Sequence, residues 1–282
     1  MNQNIYRPHL RSLLRATLAI AIKDWKQYWR YPLNAISAVL QPIVWLTPAY
    51  FMGLAFSTDG EAHGFAGYSG TTDYMSFILI GMALSNFIMA VFWGMGYALK
   101  SDMDAGVMES NWMCPVPRPL LLIGHTFSSI ALTTITSLAM LLVAGPLFGF
   151  HISGNVLKAT AALIPMLVAL YGFGFAFAAL VMVMRESNTM VDVTSYVSTL
   201  LSGSQFPVNV LPRWLLPLSL ALPMTYGFDL ARGFLLNTPT LLPIPVSIGI
   251  LIAMMFVLVA GGLWAFQRLE RRVRRMGTLG LH

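Results

Sequence analysis

Charged and amide side chains are scarce in this 282-residue chain, and those set within apolar sequence are where chemistry could occur. An ionisable group at membrane depth is costly unless paired or hydrated, so it marks a path, a pair or a site by default. Asp192 stands one turn into a hydrophobic run, with Tyr196, Thr199 and Gly203 following on the same helical face and Ser195 beside them. Such a stripe faces a bundle interior, where it lines a path or hydrogen-bonds a neighbouring helix; Asp192 could also bond Asn188 one turn back. Asp229 and Arg232, spaced i, i+3, suit an ion pair on a helix. Mutual neutralisation is their expected role, with substrate contact as the alternative. Asn86, Met89, Trp93 and Tyr97 share another face, which would suit either helix packing or an amphiphilic ligand.

Other chemistries find little support. None of the four lysines (Lys23, Lys26, Lys100, Lys158) follows a glycine, so no phosphate-binding G-x-x-x-x-G-K-[ST] loop exists and this polypeptide is not expected to hydrolyse ATP. The five histidines are scattered without H-E-x-x-H spacing. Cys114 is the single cysteine, which excludes an intrachain disulfide and a cysteine-based metal site. An intramembrane enzyme would need an acidic or nucleophilic residue, and only Asp192 offers itself.

The elements that must carry these residues follow from composition. The chain is 57% hydrophobic and 10% charged, with mean hydropathy +0.69, whereas soluble domains carry about 25% charged residues. An integral membrane protein is therefore expected. The net charge of +6 lies beside the apolar runs, where anionic lipid head groups attract it, so lipid rather than nucleic acid is the expected partner. A cleavable signal peptide is not expected, because the first apolar run starts near Leu33 and is too long for one. Hydropathy windows give six spans, roughly 33–56, 74–99, 120–150, 158–184, 188–206 and 245–266. Of the 17 basic residues, all but Lys158, Arg213 and Arg232 fall on the side of the termini, which the positive-inside rule makes cytoplasmic.

Three segments break this pattern. In 1–32, Leu14, Leu18, Ile22, Trp25 and Trp29 share one face beside Arg15, Lys23, Lys26 and Arg30, the signature of a helix lying in the membrane plane. The 201–234 stretch is apolar, yet Pro207, Pro212, Pro217 and Pro223, with Pro239 just outside, prevent one straight helix. Broken backbone in lipid must be buried by protein or border a cavity, so a re-entrant element is expected. In the cytoplasmic loop 100–118, Asp102 and Asp104 precede a short helix that Pro115 and Pro117 terminate. Its Met108 and Trp112 either lie back on the bilayer or fill a cleft on a partner.

The order Phe206-Pro207-Val208, Leu211-Pro212-x-Trp214-Leu215, Leu222-Pro223-Met224-Thr225-Tyr226 and Arg232 resembles the second signature of ABC-2 type transporter permeases. The loop residues Gly106-Val107-Met108-Glu109 and Cys114-Pro115-Val116-Pro117-Arg118 resemble that family's cytoplasmic element, with Asn111 standing where the family has an apolar residue. The resemblance implies an all-α integral membrane fold of the type V exporter kind. Its parts would be six transmembrane helices, an interfacial helix in 1–32, a coupling helix at about 102–114, an outer re-entrant hairpin at about 207–235, and a basic tail at 267–282, the membrane domain being 33–282. Gly106, Met108, Glu109 and Trp112 would dock on a separate ATPase subunit. Phe206, Pro207, Pro212, Trp214, Pro223, Tyr226, Asp229 and Arg232 would form an outer gate. Asn86, Met89, Trp93, Asp192, Tyr196 and Thr199 would border the substrate path.

The resemblance further implies an exporter of a drug-like or lipid-like amphiphile in a bacterial cytoplasmic membrane. It would work with a second permease copy or paralogue and two ATPase subunits, which would hold the ATP and magnesium; this chain itself would hold no cofactor. A polysaccharide or glycolipid exporter, or a membrane anchor or assembly protein without transport, is the alternative.

Overall fold

A computed structural model describes residues 10–57, 62–96, 118–181 and 187–276. In chain order the helices are α1 (Leu10–Arg30), α2 (Pro32–Phe56), α3 (His63–Ser69), α4 (Tyr74–Val91), α5 (Arg118–Phe148), α6 (Val156–Val181), α7 (Ser187–Leu201), α8 (Leu216–Leu220), α9 (Pro223–Leu236) and α10 (Ile244–Met276). A π-helical turn at Phe92–Gly96 prolongs α4, and a short 3₁₀ turn, Val208–Val210, lies between α7 and α8.

Apolar sequence forms helices here because a helix satisfies its own backbone, the only economical solution for a single chain segment in lipid. Among the described residues, five helices are long and apolar enough to cross a bilayer: Pro32–Phe56, Tyr74–Met95, Ile123–Phe148, Val156–Val181 and Ile244–Leu269. The expected span at 188–206 is shorter than hydropathy suggests. Its helix, α7, has 15 residues, about 22 Å at 1.5 Å per residue, against a hydrocarbon core of about 30 Å. The helix stops because Gly203 adopts a left-handed conformation (φ 72°), which glycine enters without steric cost. Hydropathy counts side chains and does not register that stop.

The prolines fragment the next stretch as their chemistry requires. Pro207 precedes the 3₁₀ turn, Pro217 sits in the first turn of α8, and Pro223 opens α9, positions where the missing N–H removes no helical hydrogen bond. Most of α9 is nevertheless buried, from Pro223 through Arg232.

The centre of the bundle is α4 and α6, each mostly buried, whereas α2 and α10 expose most of their apolar surface. One core joins α4, α6, α9 and α10 through Phe92, Met166, Leu170, Met224, Phe228 and Leu251; a second joins α2, α4 and α5 through Leu46, Phe77, Ile78 and Met140. Phe92 stands edge-on to Phe177 with ring centres 4.9 Å apart. The tightest crossing is α6 on α10. A Cβ on Gly262 would collide with the Gly172 carbonyl, and one on Gly172 would come 2.6 Å from the Val259 nitrogen. Backbones meet directly there, as small residues permit between membrane helices.

Replacing Gly172 with leucine is expected to force α6 and α10 apart at a cost of roughly 1–3 kcal/mol, lowering the melting temperature of the detergent-purified protein. Gly261→Ala, on the same helix with open space around it, serves as the control and should melt like the parent. Equal melting of both variants would refute the close crossing.

Candidate functional site: a carbonyl clasp and the groove beside it

A helix leaves its last four carbonyls without intrahelical partners. At the end of α7 each finds one. The Ser202 N–H donates to Ser198 O (3.0 Å), the Ser202 and Ser204 hydroxyls donate to Thr199 O (2.8 and 3.0 Å), and the Gly203 N–H donates to Leu200 O (3.3 Å). The Ser219 hydroxyl reaches back from α8 to Leu201 O (2.6 Å), and Thr225 of α9 donates to Ser219 O (2.5 Å). The serine-rich run therefore works as an end cap, and it pulls α8 and α9 against α7.

Two further carbonyls, Gly203 O and Ser204 O, point at Arg232. Arg232 is 5% exposed. Nη1 donates to Gly203 O (2.7 Å) and Nη2 to Ser204 O (2.5 Å), while Nε and Nη2 both donate to Phe77 O of α4 (3.3 and 3.2 Å). The guanidinium carbon also lies 3.5 Å from the Phe77 ring centre, a cation–π distance. One side chain thus fastens α9, the 203–204 turn and α4 together. Gly81 permits the approach, since a Cβ there would collide with the Ser204 carbonyl.

This arrangement takes the place of the expected contact ion pair, although Asp229 and Arg232 still attract one another through space. Among the described residues, no salt bridge within 4.0 Å joins Asp229 to Arg232. Asp229 Oδ2 instead accepts the Leu241 N–H at 2.9 Å, holding the loop after α9. The i, i+3 spacing made a pair possible, but backbone carbonyls of two other elements occupy the guanidinium donors. A polar cavity of about 170 Å³ remains between Asp229, Arg232, Tyr68, Asn209 and Thr240.

The other gate residues separate. Pro207, Pro223 and Tyr226 are buried, Phe206 is half-buried, and Pro212 and Trp214 are exposed. Of the path residues, Tyr196 and Thr199 meet Phe206 in a groove of about 260 Å³ along with Leu200, Ser204 and Gln205. Tyr196 is 59% exposed, and the Thr199 hydroxyl is buried with no hydrogen-bond partner. Asp192 is half-buried one turn away and does not line this groove. Asn86 donates to Ser137 Oγ (3.2 Å), which in turn donates to Ala83 O (3.2 Å). Its amide thereby joins α4 to α5, so packing accounts for it. Met89 is half-buried, and Trp93 is 37% exposed. Gly106, Met108, Glu109 and Trp112 lie outside the described residues.

Sequence reasoning did not find Phe77, Gly81, Gly203 and Ser204 as partners of Arg232, because backbone carbonyls carry no side-chain signature. The usable signal was the cluster Ser202-Gly203-Ser204 at the end of an apolar run. Among the described residues no group of three or more His, Cys, Asp or Glu could hold a metal ion.

If carbonyls rather than Asp229 hold Arg232, Arg232→Ala and Arg232→Lys should both lower thermal stability, since each carbonyl left unpaired costs about 1–3 kcal/mol. Asp229→Asn should cost clearly less. Damage from Asp229→Asn equal to that from Arg232→Ala would restore the ion pair as the dominant interaction.

Comparison with known proteins now supplies a family. The model of the ABC-2 type transporter family matches residues 15–236. The chain is 24% identical to the daunorubicin resistance ABC transporter permease protein DrrB1 of Streptomyces coeruleorubidus over 236 residues, covering 82% of this chain and 79% of that protein. It is 23% identical to the probable doxorubicin resistance ABC transporter permease protein DrrC of Mycobacterium tuberculosis over 251 residues, covering 86% and 83%. A match from within α1 to the end of α9, together with a multi-pass helical architecture, places this chain in the ABC-2 type transporter family, as a membrane permease of an ABC exporter of the drug-resistance kind.

Proposed function

We propose that this permease exports an amphiphilic small molecule, drug-like or lipid-like, outward across a bacterial cytoplasmic membrane, driven by ATP hydrolysis in two partner subunits. The observation that carries the reading is the groove between α7 and the proline-broken segment. It is mainly apolar, with Tyr196, Thr199, Ser204 and Gln205 supplying the few polar groups, the composition that suits a ligand with a large apolar body. The names of the relatives, daunorubicin and doxorubicin resistance permeases, support the same class of cargo.

The groove opens on the face of α7 where Val193, Tyr196, Val197 and Leu200 are exposed. A second copy or paralogue facing it would complete an enclosed route, giving a dimer with two ATPases. Segment 102–114 would receive the ATPases through Gly106, Met108, Glu109 and Trp112, and closure of the ATPases would switch the route between inward and outward access. With both termini cytoplasmic, α7 and the segment 202–206, buried from Ser202 to Ser204, would together make the remaining crossing. The segment from Pro207 to Arg232 would then close the exit, held shut on α4 by the carbonyl clasp.

Co-reconstitution with the partner ATPase, followed by a screen for amphiphiles that stimulate hydrolysis, tests the proposal. Tyr196→Ala and Phe206→Ala should reduce drug stimulation severalfold while leaving basal hydrolysis near the parent value. Glu109→Ala and Trp112→Ala should lose ATPase association. Drug stimulation unchanged in the first pair would remove the groove from the route, and intact association in the second would end the coupling assignment.

A further inference from the structure

Helix α1 has three faces, and they do three different things. At about 100° per residue, Leu14, Leu18, Ile22, Trp25 and Trp29 occupy an arc of roughly 80°, and all five are exposed. Arg15, Lys23, Lys26 and Arg30 fill the adjoining arc and are exposed as well. The remaining side is fastened to the start of α5. Thr17 is buried, Gly124 packs 3.0 Å from the Thr17 carbonyl when given a Cβ, and Ser128 Oγ donates to Ala21 O at 2.7 Å. Asp24 Oδ2 meets His125 Nδ1 at 2.6 Å, both side chains about four-fifths covered. Asp24 is the sole acidic residue of this helix, and it is engaged by His125 and Lys23. Among the described residues, Asp24 meets only Lys23 of the basic arc, so Arg15, Lys26 and Arg30 meet no acid of α1.

We infer that α1 binds anionic phospholipid head groups and that its engagement is transmitted to α5 through the Asp24–His125 and Ala21–Ser128 contacts. An apolar arc beside a basic arc fits the surface of an anionic bilayer, with rings and aliphatic chains below and cations at the phosphates. The clamp makes α1 a lever rather than a loose anchor. It holds the first turns of α5, the helix that follows the loop carrying Glu109 and Trp112 in the sequence. Composition of the bilayer would thus set the position of the helix nearest the energy input. This inference goes beyond the export reading and does not depend on what is exported.

The full chain carrying Cys114→Ser and Phe127→Cys, labelled with an environment-sensitive fluorophore, is reconstituted in phosphatidylcholine vesicles with and without phosphatidylglycerol. Phe127 is exposed between the two clamp residues of α5, so the label reports on that helix. Phosphatidylglycerol is expected to shift its emission. High salt should abolish the shift in the parent, and the triple variant R15Q/K26Q/R30Q should lose it, with apparent lipid affinity falling about fivefold per residue removed. His125→Ala should lose the shift at position 127, while a label at Leu18→Cys is still quenched by brominated phosphatidylglycerol. Identical emission in both lipids, or a triple variant that responds like the parent, overturns the inference. Retention of the shift in His125→Ala overturns the transmission step. A shift produced by soluble glycerol phosphate alone would show a free-phosphate site and overturn the assignment to the membrane surface.

Discussion

A helix that ends inside an apolar layer must satisfy its last carbonyls from within the protein, because no water is there to do it. In this permease that requirement falls on the end of α7. Serine hydroxyls at positions 202, 204 and 219 meet the carbonyls of Thr199 and Leu201, and Arg232 meets those of Gly203 and Ser204. The same arginine extends to Phe77 of α4. Solving a local backbone problem thus fixes the relation of α7, α8, α9 and α4, and with it one end of the proposed route. A buried cation normally calls for an anion; here converging carbonyl dipoles and an aromatic face take that role.

The rest of the architecture grades from this centre outward. α4 and α6 are buried by their neighbours, and the α6–α10 crossing is close enough that only glycine fits at Gly172 and Gly262. α2 and α10 leave their apolar residues facing outward, a surface that would be a liability in water and is ordinary in lipid. Packing in such a solvent gains little from hydrophobicity, since lipid tails are as apolar as leucine. Close backbone approach and interhelical hydrogen bonds, such as Asn86 to Ser137, carry the specificity instead. The groove by Tyr196, Thr199 and Phe206 sits where this tight packing stops, at the exposed face of α7.

Much of this was legible in the residue order. The apolar arc of α1 is exposed as its spacing implied, and Pro217 and Pro223 stand at helix starts where their missing donors do no harm. The family assignment followed from the same proline-rich order, because those positions are constrained by backbone chemistry. Other readings were ambiguous for definite reasons. Hydropathy lengthened α7 into a full span because Ser202-Gly203-Ser204 lies among apolar residues. Helical spacing suggested an Asp229–Arg232 pair because periodicity describes one helix and ignores its neighbours. Asn86 read as packing or path, and the position of Ser137 distinguished them.

The sequence by itself determined the solvent, the approximate helices, their breaks and the family, since hydropathy, proline geometry and helical periodicity are local properties. The tertiary structure decided the partners: which carbonyls Arg232 serves, which helix α1 grips through Asp24 and His125, and where α7 gives way to a groove. Those outcomes depend on backbone atoms and on residues far apart in the chain. Every residue carries the same carbonyl, so nothing in the order of side chains marks which ones a buried arginine will meet. Only the packed bundle brings Phe77, Gly203 and Ser204 to one guanidinium.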